Sequence, residues 1–342
     1  MYRHLLVPLD GSELATTLVS GALELARALG ARITFFSMRE DYGASQEGAL
    51  ARTLSPDTFA AAAAGGANAI VAKALAAAEG GGVECAGLVR TGSRPHELIV
   101  QVADECGCDL IYMASHGRRG LKALMPGSQT QKVLAHTTLP VLVATVEANA
   151  ASTASEAAIA VIQDEHRSIA AVINGLRRLA ARARAGGEVD FGFLGAMLHY
   201  LRSFAEVQHH PKEEQYLFAR LEERSDELAD VLYGLRREHR EGTALLAELE
   251  ARAAECCAGA AEGAGDLAEA IDRFADAQWR HLSAEEKLVL PAARRHLTEE
   301  DWLLIGRAFR DEGDLARGSE RDAAYAQMFA RLMNQAADEA LG

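Results

Sequence analysis

Along the first 146 residues, short apolar runs alternate with helical stripes. Leu5-Leu6-Val7-Pro8-Leu9 is one such run, closed by Asp10-Gly11-Ser12, and Leu14, Leu18, Ala22, Leu25 and Leu29 follow at helical steps. The same reading predicts strands at Ile33–Met38, Val83–Arg90, Leu110–Ala114 and Val141–Val146, and helices at Pro56–Glu79, Arg94–Glu105 and Ser128–Ala135. Short buried strands separated by helices predict a doubly wound α/β domain with a five-stranded parallel sheet. From Glu147 to Glu156 the residues are small and polar without periodicity, as in a linker. Beyond them four long helical patterns run roughly over 155–183, 190–223, 226–252 and 265–295, with prolines only at 211 and 291. The prediction is α/β plus all-α: an N-terminal domain over 1–147, a linker over 148–154, a four-helix bundle domain over 155–313 and a tail helix over 314–342. In the tail, Tyr325, Met328, Phe329 and Leu332 form a packing stripe.

The inward stripes of the bundle carry ligand chemistry. The third helix places Leu228, Leu232, Leu235, His239, Gly242, Leu246 and Leu249 on one seam; the fourth places Leu267, Ile271, Phe274, Gln278, His281, Glu285, Leu288 and Ala292. On the first helix, Ile162, His166, Ile169 and Ile173 share a face, and on the second Phe204, Val207, His210, Glu214, Leu217 and Leu221 do so. A lone histidine on such a stripe is more often a satisfied core imidazole, but six ligand-type residues aimed at one interior are another matter. Burying an unpaired carboxylate costs roughly several kcal/mol, against about 5–15 kcal/mol for the whole stability of a domain. The stripes hold no Lys or Arg, so bound cations are the simplest neutralising charge, and imidazole with carboxylate suits iron. His-x-x-x-Glu puts both side chains on one helical face.

This region resembles the hemerythrin-like, or HHE cation-binding, family. The matching residues are His166 in Asp164-Glu165-His166, His210-Pro-Lys-Glu-Glu214, His239 in Glu238-His239-Arg240, and His281-Leu-Ser-Ala-Glu285. The resemblance implies two iron ions joined by an oxo or hydroxo bridge, with Glu214 and Glu285 bridging and His166, His210, His239 and His281 as terminal ligands. A second His-x-x-x-Glu, His209 and Glu213, lies one residue earlier. The register His210/Glu214 is preferred because it lies on the Leu217/Leu221 face, leaving His209, Glu213 and Glu286 as outer or solvated residues. His199 is too far along its helix to join them. Oxygen-carrying members have a further histidine one turn from that of the third helix, where this chain has Leu235 and Thr243. An open position on each iron is the expectation, favouring reaction with dioxygen, peroxide or nitric oxide over reversible storage.

In the first domain, Ala114-Ser-His-Gly117, then nine residues, then Gly127-Ser128 resembles the nucleotide-binding pattern of universal stress proteins, with Ala114 in place of the leading glycine. Val7-Pro8-Leu9-Asp10-Gly11-Ser12 and Leu139-Pro-Val-Leu-Val143 extend the likeness over 1–146. It implies ATP or a related adenine nucleotide held by Asp10, Ala114, Gly117, Gly127 and Ser128: Gly117 admits a phosphate, and Gly127-Ser128 opens a helix whose free amides attract an anion. It also implies a homodimer, through the edge strand Val141–Val146. No nucleophile, base and oxyanion arrangement emerges here.

Composition narrows the partners. Of 342 residues 49% are hydrophobic and 25% charged, which fits folded, water-soluble domains. The net charge is −14, its excess falling beyond residue 150, which disfavours nucleic acid and anionic membrane. The N-terminus lacks a signal-peptide pattern, and the five cysteines are an odd number that does not suit a disulfide framework, so a cytoplasmic protein is expected. The expected function is a stress-response sensor rather than primarily an enzyme. Its di-iron bundle would report oxygen, redox state, nitric oxide or iron supply, with peroxide or nitric oxide turnover, or iron storage, as alternatives.

Overall fold

The structure, a computed structural model, describes residues 2–11, 13–40, 56–79, 82–116, 128–146, 153–258, 263–310 and 318–339. The chain divides into two compact units, Met1–Ser152 with Met333–Gly342, and Thr153–Leu332.

In the first unit β1 (His4–Leu9), β2 (Arg32–Glu40), β3 (Cys85–Gly92), β4 (Leu110–His116) and β5 (Val141–Val146) form one sheet in the order β3-β2-β1-β4-β5. Every pairing is parallel, with Leu5 opposite Ile33 and Leu110, Ile33 opposite Cys85, and Ile111 opposite Val141. The helices are α1 (Glu13–Leu29), α2 (Pro56–Ala78), α3 (Pro95–Glu105) and α4 (Ser128–His136). Successive strand residues face opposite sides of a sheet, so the continuous apolar runs feed two cores. Leu5, Val7 and Leu9 pack with Leu18, Ala22 and Ala26 of α1 and Ala74 and Ala78 of α2. Leu6, Phe36, Ile111 and Met113 pack with Ile99 and Val102 of α3 and Val133 of α4. This is the doubly covered parallel sheet that the sequence predicts.

The strand order reverses between β1 and β4, the point at which open α/β sheets form a crevice beyond their carboxyl ends. Asp10 is exposed just past β1, Ala114 lies within β4, and Ser128 is the first residue of α4. Gly117 and Gly127 fall outside the described residues. Gly11, which turns the chain away from Asp10, has φ +77°, and a Cβ there would come within 2.7 Å of Ile70 Cδ1, so only glycine suits that turn.

The second unit is helical. Its α5 (Ala154–Arg184) starts at a reciprocal cap, Thr153 accepting from the Glu156 amide and the Glu156 carboxylate accepting from the Thr153 amide. Helix α6 runs over 191–224, capped by Asp190, which accepts from Phe193 N at 2.9 Å. α7 is Ala229–Cys257, α8 runs over 263–296, and α9 (Glu299–Phe309) begins with a Thr298/Asp301 capping box. Trp302, Ile305 and Phe309 of α9 close one end of the core against Ala158, Ile159 and Ile162 of α5. In α10 (Gly318–Glu339) the tail stripe packs on α6, with the Phe329 ring 5.8 Å from that of Tyr200 and the Tyr325 hydroxyl donating to Ser203 O at 3.1 Å.

Helices α6 and α8 are not regular. Leu201–His209 and Glu213–Phe218 in α6, and Glu285–Val289 in α8, are π-helical, while the residues joining them keep right-handed helical dihedrals. A π turn bonds to the fifth residue rather than the fourth and so rotates everything beyond it. Val207 and Leu288, expected inside, are therefore 59% and 47% exposed, and Val289 takes the place of Leu288 in the core.

Candidate metal centre

The bundle interior holds a cluster of imidazoles around two carboxylates. His166 of α5, His209 and His210 of α6, His239 of α7 and His281 of α8 are all buried, as are Glu213 and Glu285. Nitrogen and oxygen atoms of His166, His209 and Glu213 lie within 4.8 Å of one another, as do those of Glu213, His239, His281 and Glu285. Glu213 thus belongs to both groups. A third grouping of the same span is His210, His239 and His281.

Four of the five imidazoles share one arrangement, Nε2 facing inward and Nδ1 held by a carboxylate further out. His166 Nε2 is 3.2 Å from Glu213 and 3.5 Å from Glu285, with Nδ1 2.8 Å from Glu286. His209 Nε2 is 3.4 Å from Glu213, with Nδ1 2.7 Å from Glu165. His239 Nε2 is 3.6 Å from Glu213 and 2.9 Å from His281 Nε2, with Nδ1 2.7 Å from Glu214. His281 Nε2 is 3.2 Å from Glu285, with Nδ1 3.1 Å from Glu238. An Nδ1–H donated to a carboxylate fixes the tautomer and leaves the Nε2 lone pair directed at the centre, the usual support of a metal-bound histidine.

The structure differs from the register read from the sequence. Leu221, Leu217, Glu213 and His209 are all buried, at four-residue steps, although Glu213–Phe218 is π-helical, and a five-residue step leads from His209 to Phe204. Glu214, expected as a bridge, is instead 37% exposed and reaches His239 from outside. His209 and Glu213, expected as outer residues, are inside, and Glu286, also expected outside, orients His166. His166, His239, His281 and Glu285 lie where the periodicity puts them. His210 is buried too, although Glu214 is not its partner.

The electrostatics show how these groups share a dry interior. Burial pushes the Glu213 carboxyl up, but His209, His166 and His239 outweigh it and hold it well below the usual carboxylate range. Burial pushes His281 down, yet Glu285 and Glu238 raise it to about 10. His166 is likewise lifted against its burial by Glu213 and Glu286. His210 is pushed well below the ordinary imidazole value, by burial first and by the neighbouring imidazoles His239 and His209 second.

The fit to a cation rests on what the protein leaves unmet. His209 Nε2, Glu213 Oε2 and both Glu285 oxygens are buried without a hydrogen-bond partner, and orphaned buried polar atoms are rare and costly. Converging oxygen and imidazole nitrogen donors suit a first-row divalent metal.

Comparison with known proteins agrees for both units. Residues 1–145 match the universal stress protein family, and residues 157–293 match the hemerythrin HHE cation binding domain. The chain therefore joins a universal stress protein domain to a hemerythrin HHE domain. A 49-residue stretch, 14% of the chain, is 47% identical to universal stress protein MJ0577 of Methanocaldococcus jannaschii and spans 30% of that protein's length. Among solved structures, the universal stress protein UspA of Lactobacillus plantarum is 26% identical, with 42% of this chain and 97% of that one covered and a TM-score of 0.34. The Archaeoglobus fulgidus universal stress protein in complex with dAMP is 19% identical over 42% of this chain and 97% of its own, with a TM-score of 0.30. No helix among the described residues is long and apolar enough to cross a membrane.

Proposed function

We propose that the helical unit holds two iron ions and that the protein is a stress-response sensor, reporting oxygen, redox state, nitric oxide or iron supply to a nucleotide-binding partner domain in the same chain. The observation that carries this reading is the set of buried atoms without a hydrogen bond on Glu213, Glu285 and His209, ringed by carboxylates that orient four imidazoles. In this assignment His166, His209, His239, His281, Glu213 and Glu285 would hold the two ions, Glu213 taking the place expected of Glu214. Iron bound there would supply redox chemistry toward dioxygen, peroxide or nitric oxide. The chain's own part is to orient each Nε2, to supply two negative charges from a dry interior, and to exclude water with the apolar end layer of Leu217, Leu235 and Trp302.

In the first unit the proposal places an adenine nucleotide at the switch point, with Asp10 toward the ribose or base, Ala114 beneath it, and Gly117, Gly127 and Ser128 toward the phosphates. The match of residues 1–145 to the universal stress protein family supports that class of ligand. A homodimer through Val141–Val146 is part of the same proposal, the order of strands leaving β5 at an edge of the sheet. So are a cytoplasmic setting and the lack of a nucleic-acid or membrane partner, the latter supported by the net charge of −14.

A second reading is catalytic turnover of peroxide or nitric oxide, favoured by a cleft of about 480 Å³ that reaches His210 and His239. Anaerobic loading with ferrous iron separates these readings. The sensor reading expects two irons per chain, an oxo-bridged di-ferric absorption band after oxidation, a single spectral response per added equivalent of oxidant, and ATP affinity that differs between the two iron states. Sustained turnover of peroxide or nitric oxide would establish the enzyme instead. More than two irons per chain would point to storage, and calorimetry showing no heat with millimolar ATP would reduce the first unit to an empty dimerising domain.

A further inference from the structure

We infer that His210 is a movable gate over the centre rather than one of its fixed ligands; this rests on the two-iron reading above. His210 differs from the other four imidazoles in how it is held. Its Nδ1 is buried with no hydrogen-bond partner, the nearest carboxylate oxygen being Glu206 Oε1 at 3.8 Å, so no outer carboxylate fixes its tautomer or its rotamer. Its ring stacks on that of His239, centroids 4.2 Å apart and planes 16° from parallel. An imidazole binds a metal through a lone pair in its ring plane, and an ion in the plane of His239 lies out of the plane of a ring stacked upon it. In this rotamer His210 cannot share an ion with His239 at good geometry. Finally, it lines the cleft of about 480 Å³ between α6 and α7, together with His239, Glu206, Gln215 and Thr243.

Thr243 stands one helical turn beyond His239, on the same side of α7, and carries only a small side chain that donates to Glu206. The π turn ending at His209 gives α6 the extra rotation that buries two consecutive histidines, His209 1% and His210 5% exposed. One of them is oriented by Glu165 and aimed at the centre; the other has no carboxylate holding its Nδ1 and lines the cleft beside His239. A small anion or diatomic molecule entering along the cleft meets His210 first, and reaches the ion held by His239 and His281 when that ring swings aside.

A protein whose binding-competent state is a minor population loses apparent affinity in proportion to that fraction, and minor states of about 10% or less are common. Removing the gate therefore raises the apparent affinity for a small ligand about tenfold. The test uses the full-length protein, loaded with iron, oxidised and titrated with sodium azide by absorption spectroscopy, with iron per chain measured in parallel. His210→Ala is expected to keep two irons per chain and to bind azide at least about tenfold more tightly and with a faster on-rate. Gln215→Trp, at an exposed position on the cleft wall, is expected to slow azide entry without changing iron content. Loss of iron from His210→Ala would make His210 a ligand and overturn the gate. Unchanged azide binding in His210→Ala would overturn it as well, and unchanged rates in Gln215→Trp would overturn the route. A wild-type protein that holds no iron would instead defeat the two-iron reading itself.

Discussion

Helices α6 and α7 each carry a face of the same centre, and they differ in how faithfully the sequence foretells that face. α7 is regular from Ala229 to Cys257, and Leu232, Leu235, His239, Gly242, Leu246 and Leu249 are all buried as the spacing predicts. α6 contains two π segments, and its buried ligand-type residues are His209, His210 and Glu213 rather than His210 and Glu214. The difference teaches that a 3.6-residue period locates a face only as far as the next irregular turn. A π turn is rare, appears mostly as a single-turn bulge inside an α-helix, and is frequent at functional sites. Here the π segment ends where His209 and His210 are buried side by side.

The largest test of this contrast removes an imidazole from each helix. His209→Ala in α6 and His239→Ala in α7 are both expected to lower iron content well below two per chain after anaerobic loading and desalting, as measured by elemental analysis. If His209→Ala keeps a full complement, the register of α6 is wrong, whatever happens in α7. A smaller effect is expected from the carboxylates behind the histidines. Glu165→Gln and Glu286→Gln keep the shape but weaken the orienting bonds to His209 and His166, and such partners are typically worth 10–100-fold in metal affinity. Competition with a chelator measures this, and unchanged affinity in both variants would remove the orienting role.

The smallest effect belongs to the regular end of α6, where Arg224 donates two bonds to Asp301 at 2.9 and 3.0 Å and Asp301 also completes the cap of α9. Arg224 and the Thr298 cap hold the Asp301 carboxyl far below its ordinary value. A carboxylate depressed in the folded state adds stability above its unfolded pKa and loses that contribution as pH falls through the folded value. Asp301→Asn is therefore expected to cost about 1 kcal/mol at neutral pH, the ordinary worth of a cap. That deficit shrinks in strong acid, iron content being unchanged. Denaturant melts at several pH values check this; a deficit that grew toward acid would contradict the assignment.

Much of the architecture is legible in the sequence, and the physical reason is periodicity. The central strands β1, β2 and β4 are largely buried on both faces, so they read as continuous apolar runs, and Leu5, Leu6 and Val7 are fully enclosed, whereas the outer strands β3 and β5 are only partly covered. On α5, Ile162, His166, Ile169 and Ile173 fall on one buried face, as four-residue and three-residue steps require. The site is less legible. Two adjacent His-x-x-x-Glu registers are chemically equivalent in sequence, and what selects between them is a backbone irregularity that no side-chain pattern announces. One signal lies in the apolar residues: Val207 and Leu288 fit their predicted stripes only if the helices are regular, while Val289 fits only if α8 is not. The outer carboxylates Glu165, Glu238 and Glu286 each lie next to a ligand-type residue in the chain, His166, His239 and Glu285, yet serve histidines on other helices. That pairing is a tertiary property. The nucleotide pattern around Ala114 and Ser128 is legible as a motif, with Gly117 and Gly127 outside the described residues.

The most direct measurement is iron per chain in Glu213→Ala and Glu214→Ala, prepared identically beside the unaltered protein. Two irons in the unaltered protein, near none in Glu213→Ala and close to two in Glu214→Ala is the predicted outcome. Retention of both irons by Glu213→Ala with their loss from Glu214→Ala would contradict the account.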